Sequence, residues 1–231
     1  MPIQRPRILH SAQMAGTGVV TPPNLNVRAQ SLPNRNVIIN GAMQVAQRAT
    51  TVASIGTSSG YFTIDRFRLA CNTGGRLTMS QDTSVPAGKG FGNSLKLDCT
   101  TADTSLAASE LLTLNHRIEG QNLQGFAKGT SDAKSFAVSF YCKGNANATY
   151  VLEMQDKDND RQISKTFNVT TSWAKVTLIF PPDTIGAFDN DNAESMQFQI
   201  WLTAGSTYTD GTINSNAWAS TTNANRVGSG T

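Results

Sequence analysis

The feature that most constrains this chain is a series of short apolar runs with a period of two residues, separated by clusters of turn-forming residues. In residues 136–142, Phe, Val, Phe and Cys alternate strictly with small or polar residues, which is typical of a strand with one face in a core. At least nine such runs occur between residues 37 and 202, bounded by Gly, Asn, Asp or Pro. A parallel sheet would need crossover helices, whereas antiparallel strands need only such turns.

Helical patterning is almost absent. One segment, residues 119–126, has the potential for a turn or two of helix, which Gly120 and Gly125 keep short. Only 15% of the residues are charged and 39% are apolar, while Thr, Ser, Asn and Gly are abundant, as in pleated strands joined by tight turns. The sequence therefore predicts an all-β fold, an antiparallel two-sheet jelly-roll sandwich.

The first 34 residues differ from the rest of the chain. They contain prolines at four separated places and no run with a period of 2 or 3.6. Proline lacks the amide proton that a sheet needs, and it favours extended backbone. We therefore predict an extended N-terminal arm over residues 1–34 and a single jelly-roll β-sandwich over residues 35–231, a length that all-β domains often reach.

Positive charge is concentrated near the N-terminus. Residues 1–64 contain five arginines, and the first acidic residue of the chain is Asp65. Arginines without acidic neighbours can neutralise an acidic protein surface, a membrane or nucleic acid. Because a purely solvating tail would lack apolar anchors, we favour specific docking over a solvated tail, through residues Arg5, Arg7, Ile8, Leu9, Arg28 and Arg35.

Several classes of protein are not expected. Three cysteines at wide spacing do not suggest a disulfide framework or a zinc site, and we expect buried thiols. No apolar stretch approaches the ~20 residues of a membrane helix, and the N-terminus lacks the apolar core of a signal peptide. We therefore expect synthesis and folding in the cytoplasm of the producing cell.

One run of the sequence resembles a known group of proteins. The run Asn36-Val-Ile-Ile-Asn-Gly-Ala-Met-Gln-Val-Ala-Gln-Arg48 is similar to the opening of tailed-phage structural proteins, described as tail fibres or virion appendages with a carbohydrate-binding-type jelly roll. Further matches follow in order at residues 61–67, 94–97, 117–120, 171–180 and 201–205. The arm is not part of the resemblance, and the chain ends without the further C-terminal strand that is usual in the group.

The resemblance implies a virion structural protein on the exterior of the tail or capsid, assembled in the host cytoplasm. We expect a tail fibre or appendage module, docked to other virion proteins by its arm and contacting host-surface glycan. The resemblance and the missing strand imply a homotrimer, and no direct contact with nucleic acid is expected. The alternative is a capsid decoration protein (a head fibre or cement protein). A tail polysaccharide depolymerase is less favoured, because it would need convergent carboxylates.

Catalytic chemistry is not indicated by the sequence. The four glutamates are not paired by their spacing, and Glu119 is expected to be a turn carboxylate. A catalytic triad would have to use His10 or His116, since there are only two histidines. No phosphate-binding loop or dinucleotide fingerprint occurs. We therefore predict no catalytic residues, no enzyme activity and no organic cofactor.

Two sets of residues are candidates for ligand contact. Sugar binding needs an exposed aromatic ring beside polar groups; Trp218, in a Ser/Asn/Thr-rich segment, is expected to be exposed and is a candidate together with Tyr208. For metal, Asp156, Asp158 and Asp160 alternate as in calcium loops. They lack the glycine and the distal glutamate of an EF-hand, so a solvated hairpin turn is the alternative to a calcium site.

Overall fold

The structure, a computed structural model, describes residues 36–228, which belong to a compact unit that begins at Asn36. Outside the described residues lie all six predicted docking residues: Arg5, Arg7, Ile8, Leu9, Arg28 and Arg35. The described part contains eleven strands: β1 Thr51–Ile55, β2 Phe67–Cys71, β3 Arg76–Asp82, β4 Ser94–Thr101, β5 Leu111–Glu119, β6 Phe136–Cys142, β7 Ala148–Asp156, β8 Arg161–Val169, β9 Ala174–Phe180, β10 Glu194–Ala204 and β11 Ala219–Ser220.

The described strands form two layers, and within each sheet all neighbouring strands are antiparallel. One layer is a six-stranded sheet in the order β11-β8-β7-β10-β5-β2. The other layer consists of the sheet β1-β3-β4, which packs on β2 and β5, and the pair β6-β9, which packs on the remaining half of the large sheet. The predicted all-β, antiparallel jelly-roll sandwich is confirmed.

Strand period explains which residues enter the core. In β7, Leu152 and Met154 lie in the core between the layers, whereas the alternate residues Val151, Glu153 and Gln155 point to the other face of the six-stranded sheet. The strict alternation at 136–142 has the same cause, since its large apolar side chains pack on the core cluster. The six-stranded sheet therefore has one apolar face and one outer face that is rich in polar side chains.

In the part of the chain that the structure describes, helix is confined to single turns. Two 3-10 turns, Gly120–Asn122 and Gln124–Phe126, lie where the sequence indicated helical potential. A short helix α1 (Ser206–Thr209) and a 3-10 turn (Asn223–Asn225) were not predicted. Within residues 36–228 no helix has the length and apolar character to cross a membrane.

The three cysteines are free thiols. Cys71 is buried and Cys142 is half-buried, but Cys99 is exposed. The expectation of three buried thiols is therefore wrong for Cys99, which lies where β4 continues beyond the core cluster.

Two parts of the C-terminal segment, around residues 208–213 and at Val227, pack on the outer face of the six-stranded sheet, whereas β11 between them joins the sheet as its edge strand. Val227 is buried with Val151 and Trp201 of that face, and Tyr208 and Ile213 pack against the same cluster. Part of the polar outer face is therefore covered by the chain itself, whereas Arg117 of β5 and Arg68 and Ala70 of β2 remain half-buried.

Candidate ligand-binding site

Polar side chains of the outer face are arranged in rows that cross the six-stranded sheet. In one row Gln162 of β8 is opposite Gln155 of β7, which is opposite Gln197 of β10, which is opposite Arg117 of β5. The three glutamines are buried, but the Arg117 side chain is 42% exposed. The row therefore ends at an accessible guanidinium group.

Arg117 forms part of the wall of an open cavity of about 190 Å³. The wall comes from the loop before β2, the end of β5 and the start of β10, and its residues are Tyr61, Arg66, Arg117, Ile118, Glu119, Asn192 and Glu194. The cavity is smaller than the ~300 Å³ pockets that enclose a whole drug-sized ligand. Its size therefore fits one ring or one end of a larger polar ligand.

Two ion pairs line the cavity. Nη2 of Arg66 lies 3.3 Å from Oε1 of Glu119, and Nε of Arg117 lies 3.1 Å from Oε2 of Glu194. Glu119 and Glu194 are register partners on β5 and β10. Because like charges directly opposite each other destabilise a sheet, each carboxylate has its own arginine, and the four groups together carry no net charge.

The two carboxyl groups have different pKa values for different reasons. Hydrogen bonds from Gln121 and Arg66 hold the pKa of Glu119 below its usual value. Burial raises the pKa of Glu194, although the positive charges of Arg117, Lys157 and Arg68 oppose this effect. At neutral pH Glu119 is therefore a firm hydrogen-bond acceptor, whereas Glu194 is the group in the cavity that is easier to protonate.

Unused hydrogen-bonding capacity remains in the cavity. Within residues 36–228, Oε1 of Glu194 and Nε of Arg117 are buried atoms without a hydrogen-bond partner. The contact between Arg117 and Glu194 is thus an ion pair whose angles do not make it a hydrogen bond. Buried polar atoms that lack a partner commonly mark a place for water or a ligand.

Tyr61 is the aromatic residue that lines the cavity, and its ring is in contact with Arg48. The Arg48 guanidinium lies 5.5 Å from the centre of the Tyr61 ring and forms an ion pair with Asp65 at 3.4 Å. Nδ2 of Asn40 donates to the carbonyl oxygens of both Val45 and Asp65. Of the segments that carry the sequence resemblance, 61–67 and 117–120 therefore line the cavity, and 36–48 contacts 61–67.

The structure does not place the predicted glycan contacts at this cavity. Trp218 is only 8% exposed, and its Nε1 donates to the carbonyl oxygen of Pro181 at 3.0 Å. The expectation of an exposed Trp218 is therefore wrong, because a buried ring cannot offer a face to a sugar. Tyr208 packs on Trp201, with 5.0 Å between ring centres, in the segment that covers the sheet. Polar composition was misleading here because Trp218 packs in the core cluster between the layers and Tyr208 packs on the outer face of the sheet, so neither ring stands free in solvent.

The predicted calcium residues do not converge. The Asp156 carboxylate is fully buried and accepts hydrogen bonds from the backbone of Asp158 and Asn159. The Asp158 carboxylate accepts from the backbone of Asp189, and Asp160 is exposed in a turn with φ 49°. In residues 36–228 no group of three His, Cys, Asp or Glu side chains could hold a metal ion. Asp156, Asp158 and Asp160 therefore do not form the predicted calcium loop.

Sequence reasoning missed most of the cavity. Sequence spacing does not pair any of the glutamates, because Glu119 and Glu194 are far apart along the chain. They become neighbours only because β5 and β10 pair. Tyr61, Arg66, Arg117 and Glu119 lie in motifs that carried the resemblance, and that was the available signal. Asn192 lies in an acidic turn, residues 188–192, whose sequence did not indicate a sugar contact.

Comparison with known proteins gives little more. No family model matches the chain, and no curated protein matches it. One of the solved structures that match, entitled "CBM4 structure and function", has a TM-score of 0.34 and 14% sequence identity, over 71% of this chain and 88% of that chain. At this identity and TM-score the likeness carries no inference about a ligand or an activity. These comparisons neither support nor contradict the resemblance to tailed-phage proteins.

Proposed function

We propose that this chain is a non-enzymatic, glycan-binding β-sandwich of a tailed-phage virion, a tail fibre or appendage module that contacts host-surface glycan. The observation that carries the glycan site is the open cavity, where Tyr61 stands beside two arginine–glutamate pairs and Asn192. The virion setting rests on the sequence motifs between residues 36 and 205. Attachment to other virion proteins through the arm and assembly as a homotrimer belong to the same proposal.

The cavity has the groups that a sugar needs. Sugar hydroxyl groups both donate and accept hydrogen bonds; the carboxylates of Glu119 and Glu194 accept, and the Arg117 and Asn192 side chains donate. The ring of Tyr61 offers an apolar face and a polar tip. Since each ion pair is neutral, the charged groups that line the cavity have no net charge. The cavity therefore favours neutral sugars over uronic acids or other charged sugars.

The test is binding of the full-length chain to an array of bacterial-surface oligosaccharides, followed by titration calorimetry on any hit. We expect Tyr61→Ala and Asn192→Ala to weaken binding by about tenfold each, because each removes about 1.4 kcal/mol or more of contact. Tyr141→Ala is the matched control, because Tyr141 packs on Phe91 away from the cavity, and its affinity should stay within about twofold.

Two results would count against this function. If a neutral glycan binds equally well to the wild type, Tyr61→Ala and Asn192→Ala, the ligand site is not this cavity. If the wild type binds only acidic glycans, the argument from balanced charge is wrong. Thermal unfolding of each variant should remain close to that of the wild type, so that a loss of affinity reports on the site.

A specific observation favours a hydrolase as the second candidate. Glu119 and Glu194 are cross-strand carboxylates in one cavity with pKa values shifted in opposite directions, as in pairs that divide acid and base roles. Binding is preferred because each carboxylate is already ion-paired to an arginine. Release of reducing ends from a bound polysaccharide by the wild type, lost in Glu194→Gln, would replace the binding function with hydrolysis.

A further inference from the structure

The Lys128 side chain is buried among oxygen atoms at the end of the sandwich where β7 finishes. Only 4% of the side chain is exposed. Its ammonium group lies 2.5 Å from Oδ2 of Asp156 and 3.2 Å from Oδ2 of Asp183. It also donates to the carbonyl oxygens of Ile185 at 2.8 Å and Gly186 at 2.7 Å. Four oxygens, one from the end of β7 and three from the 183–186 loop, thus surround one nitrogen, and we name them the oxygen cage.

Aromatic rings complete the surroundings of the ammonium group. The Phe188 ring centre lies 5.2 Å from Nζ of Lys128, and that of Trp218 lies 5.8 Å away. Ring faces at these distances attract a cation. The space left beside them is about 10 Å³, roughly the minimum that one water needs, so the cation is separated from bulk solvent.

The cage oxygens are held by groups other than Lys128. Asn159 donates to the Asp156 carboxylate from both its backbone and its side chain. Arg161 binds Asp183 through two hydrogen bonds of 2.6 and 3.0 Å. Gly186 has φ +69° and would place a Cβ 2.4 Å from the Asn159 side chain, so only glycine fits there. The cage is therefore organised by the chain around the cation.

Charge and distance specify the kind of cation. Asp156 and Asp183 contribute two negative charges and Arg161 contributes one positive charge. The net charge of the cage without Lys128 is therefore −1, which one monovalent cation neutralises. A divalent ion would leave an excess positive charge in a buried place. The distances of 2.5–3.2 Å around Nζ also mostly exceed the 2.3–2.6 Å of calcium–oxygen bonds. The cage is thus matched to an ion of ammonium size.

We propose that the oxygen cage is a monovalent-cation site whose resident ion is the ammonium group of Lys128, and that shortening this side chain opens it to a small alkylammonium or ammonium ion. The site joins the loop around Lys128, the end of β7 and the 183–186 loop through a cation that cannot dissociate. The stability of this end of the sandwich would then be independent of metal ions in the medium.

The experiment is thermal unfolding of full-length Lys128→Ala in methylammonium, ammonium, potassium, calcium or choline chloride at equal ionic strength. Choline is too large for the cage and serves as the reference. We expect Lys128→Ala to be less stable than the wild type in choline and to gain about 3 °C or more in methylammonium, with saturation. The wild type and Lys128→Met, which keeps the cage filled, should show no such gain.

A double variant separates cation binding from general damage. Lys128→Ala with Asp183→Asn removes one positive and one negative charge, so it should fold without an added cation and should not respond to methylammonium. If Lys128→Ala is unfolded in choline, refolding in methylammonium supports the proposal. Equal melting temperatures of Lys128→Ala in choline and methylammonium, a response to calcium alone, or an equal methylammonium response in the double variant would overturn it.

Discussion

At the residue scale, the buried carboxylate of Glu153 connects the C-terminal segment to the sheet. Its Oε2 accepts hydrogen bonds of 2.7 Å from both Gln199 and Trp201, and Arg226 of the covering segment donates to both of its oxygens at 3.0 and 3.1 Å. Glu153 is fully buried, and the Arg226 side chain is 14% exposed. The Glu153 carboxylate therefore joins Gln199 and Trp201 of the sheet to Arg226 of the C-terminal segment.

We predict that Glu153→Ala lowers the free energy of unfolding by about 3–5 kcal/mol, because it leaves Arg226 as an uncompensated charge in a largely dry place. Urea unfolding measures the change. Asp98→Ala is the control: Asp98 lies 3.7 Å from Lys96 in an exposed pair, and its loss should cost at most about 0.5 kcal/mol. Similar losses in the two variants would contradict the special role of Glu153.

His116 is a buried titratable group with a direct consequence for pH dependence. Its Nε2 lies 3.2 Å from both the backbone nitrogen and the carbonyl oxygen of Ile39, and its ring meets Phe67 edge to face. Burial, opposed by the hydrogen bond to Ile39, lowers the pKa of His116 to about 4. The folded protein therefore keeps this ring neutral at pH values where the unfolded chain takes up a proton.

The sign of the effect follows from linkage. Above pH ~6.5 His116 is neutral in both states, so it costs nothing; as the pH falls from ~6.5 to ~4, only the unfolded chain is protonated, and the folded state loses up to about 3 kcal/mol. We predict that urea unfolding at pH 7 and pH 4.5 shows a steeper loss for the wild type than for His116→Gln. Both chains contain His10, so it cancels. Equal losses would show that His116 is not the responsible group.

At the element scale, Gly120 forms the junction between β5 and the first 3-10 turn. A Cβ at this position would lie 1.9 Å from the carbonyl oxygen of Asp189 and 2.5 Å from Oγ of Ser195. The 185–193 loop can therefore pack directly against the end of β5, where Glu119 faces the cavity, only because this residue is glycine. This gives a physical reason for the Arg-Ile-Glu-Gly motif in the sequence.

We predict that Gly120→Ala destabilises the protein by about 2 kcal/mol, since backbone must move to admit the methyl group. It should also weaken ligand binding at the cavity, because Glu119 is the next residue. Gly41→Ala is the matched control: its added Cβ would meet only Ile38 at 3.4 Å, so it should change stability by less than about 0.5 kcal/mol. Unchanged melting of Gly120→Ala would contradict the close approach.

At the scale of the whole molecule, we predict that deletion of residues 1–34 leaves the sandwich folded. Among the described residues, the members of the two core clusters lie within 37–218 and form a continuous core, so the melting temperature should stay within a few degrees of the wild type. Under the proposed function, the deleted chain should be missing from purified virions in an immunoblot. A full-length chain with Arg5, Arg7, Arg28 and Arg35 changed to Ala tests whether incorporation into virions needs the positive charge of the arm or only its length. Loss of folding on deletion would contradict the separation into arm and sandwich.

The location of the chain in the virion separates the two non-enzymatic functions. Electron cryo-microscopy of intact particles should place the sandwich on the tail, in groups of three, if the chain is a fibre or appendage module. Density distributed over the capsid would show a decoration protein instead, and the cavity would then need a ligand other than host glycan.

The sequence by itself determined the fold class, the strand alternation and the short helical turns after β5. These features are local, because period-two burial and glycine turns depend on residues that are close together in the sequence. The alternation from Phe136 to Phe140 in β6 is an example. Only the tertiary structure decided which distant residues meet. Strand pairing places Glu119 opposite Glu194. Long-range packing puts Trp218 in the core cluster between the layers. Lys128 is the cation that lies beside Asp156, where the alternating aspartates had suggested calcium. Each of these depends on long-range packing, which residue spacing does not encode.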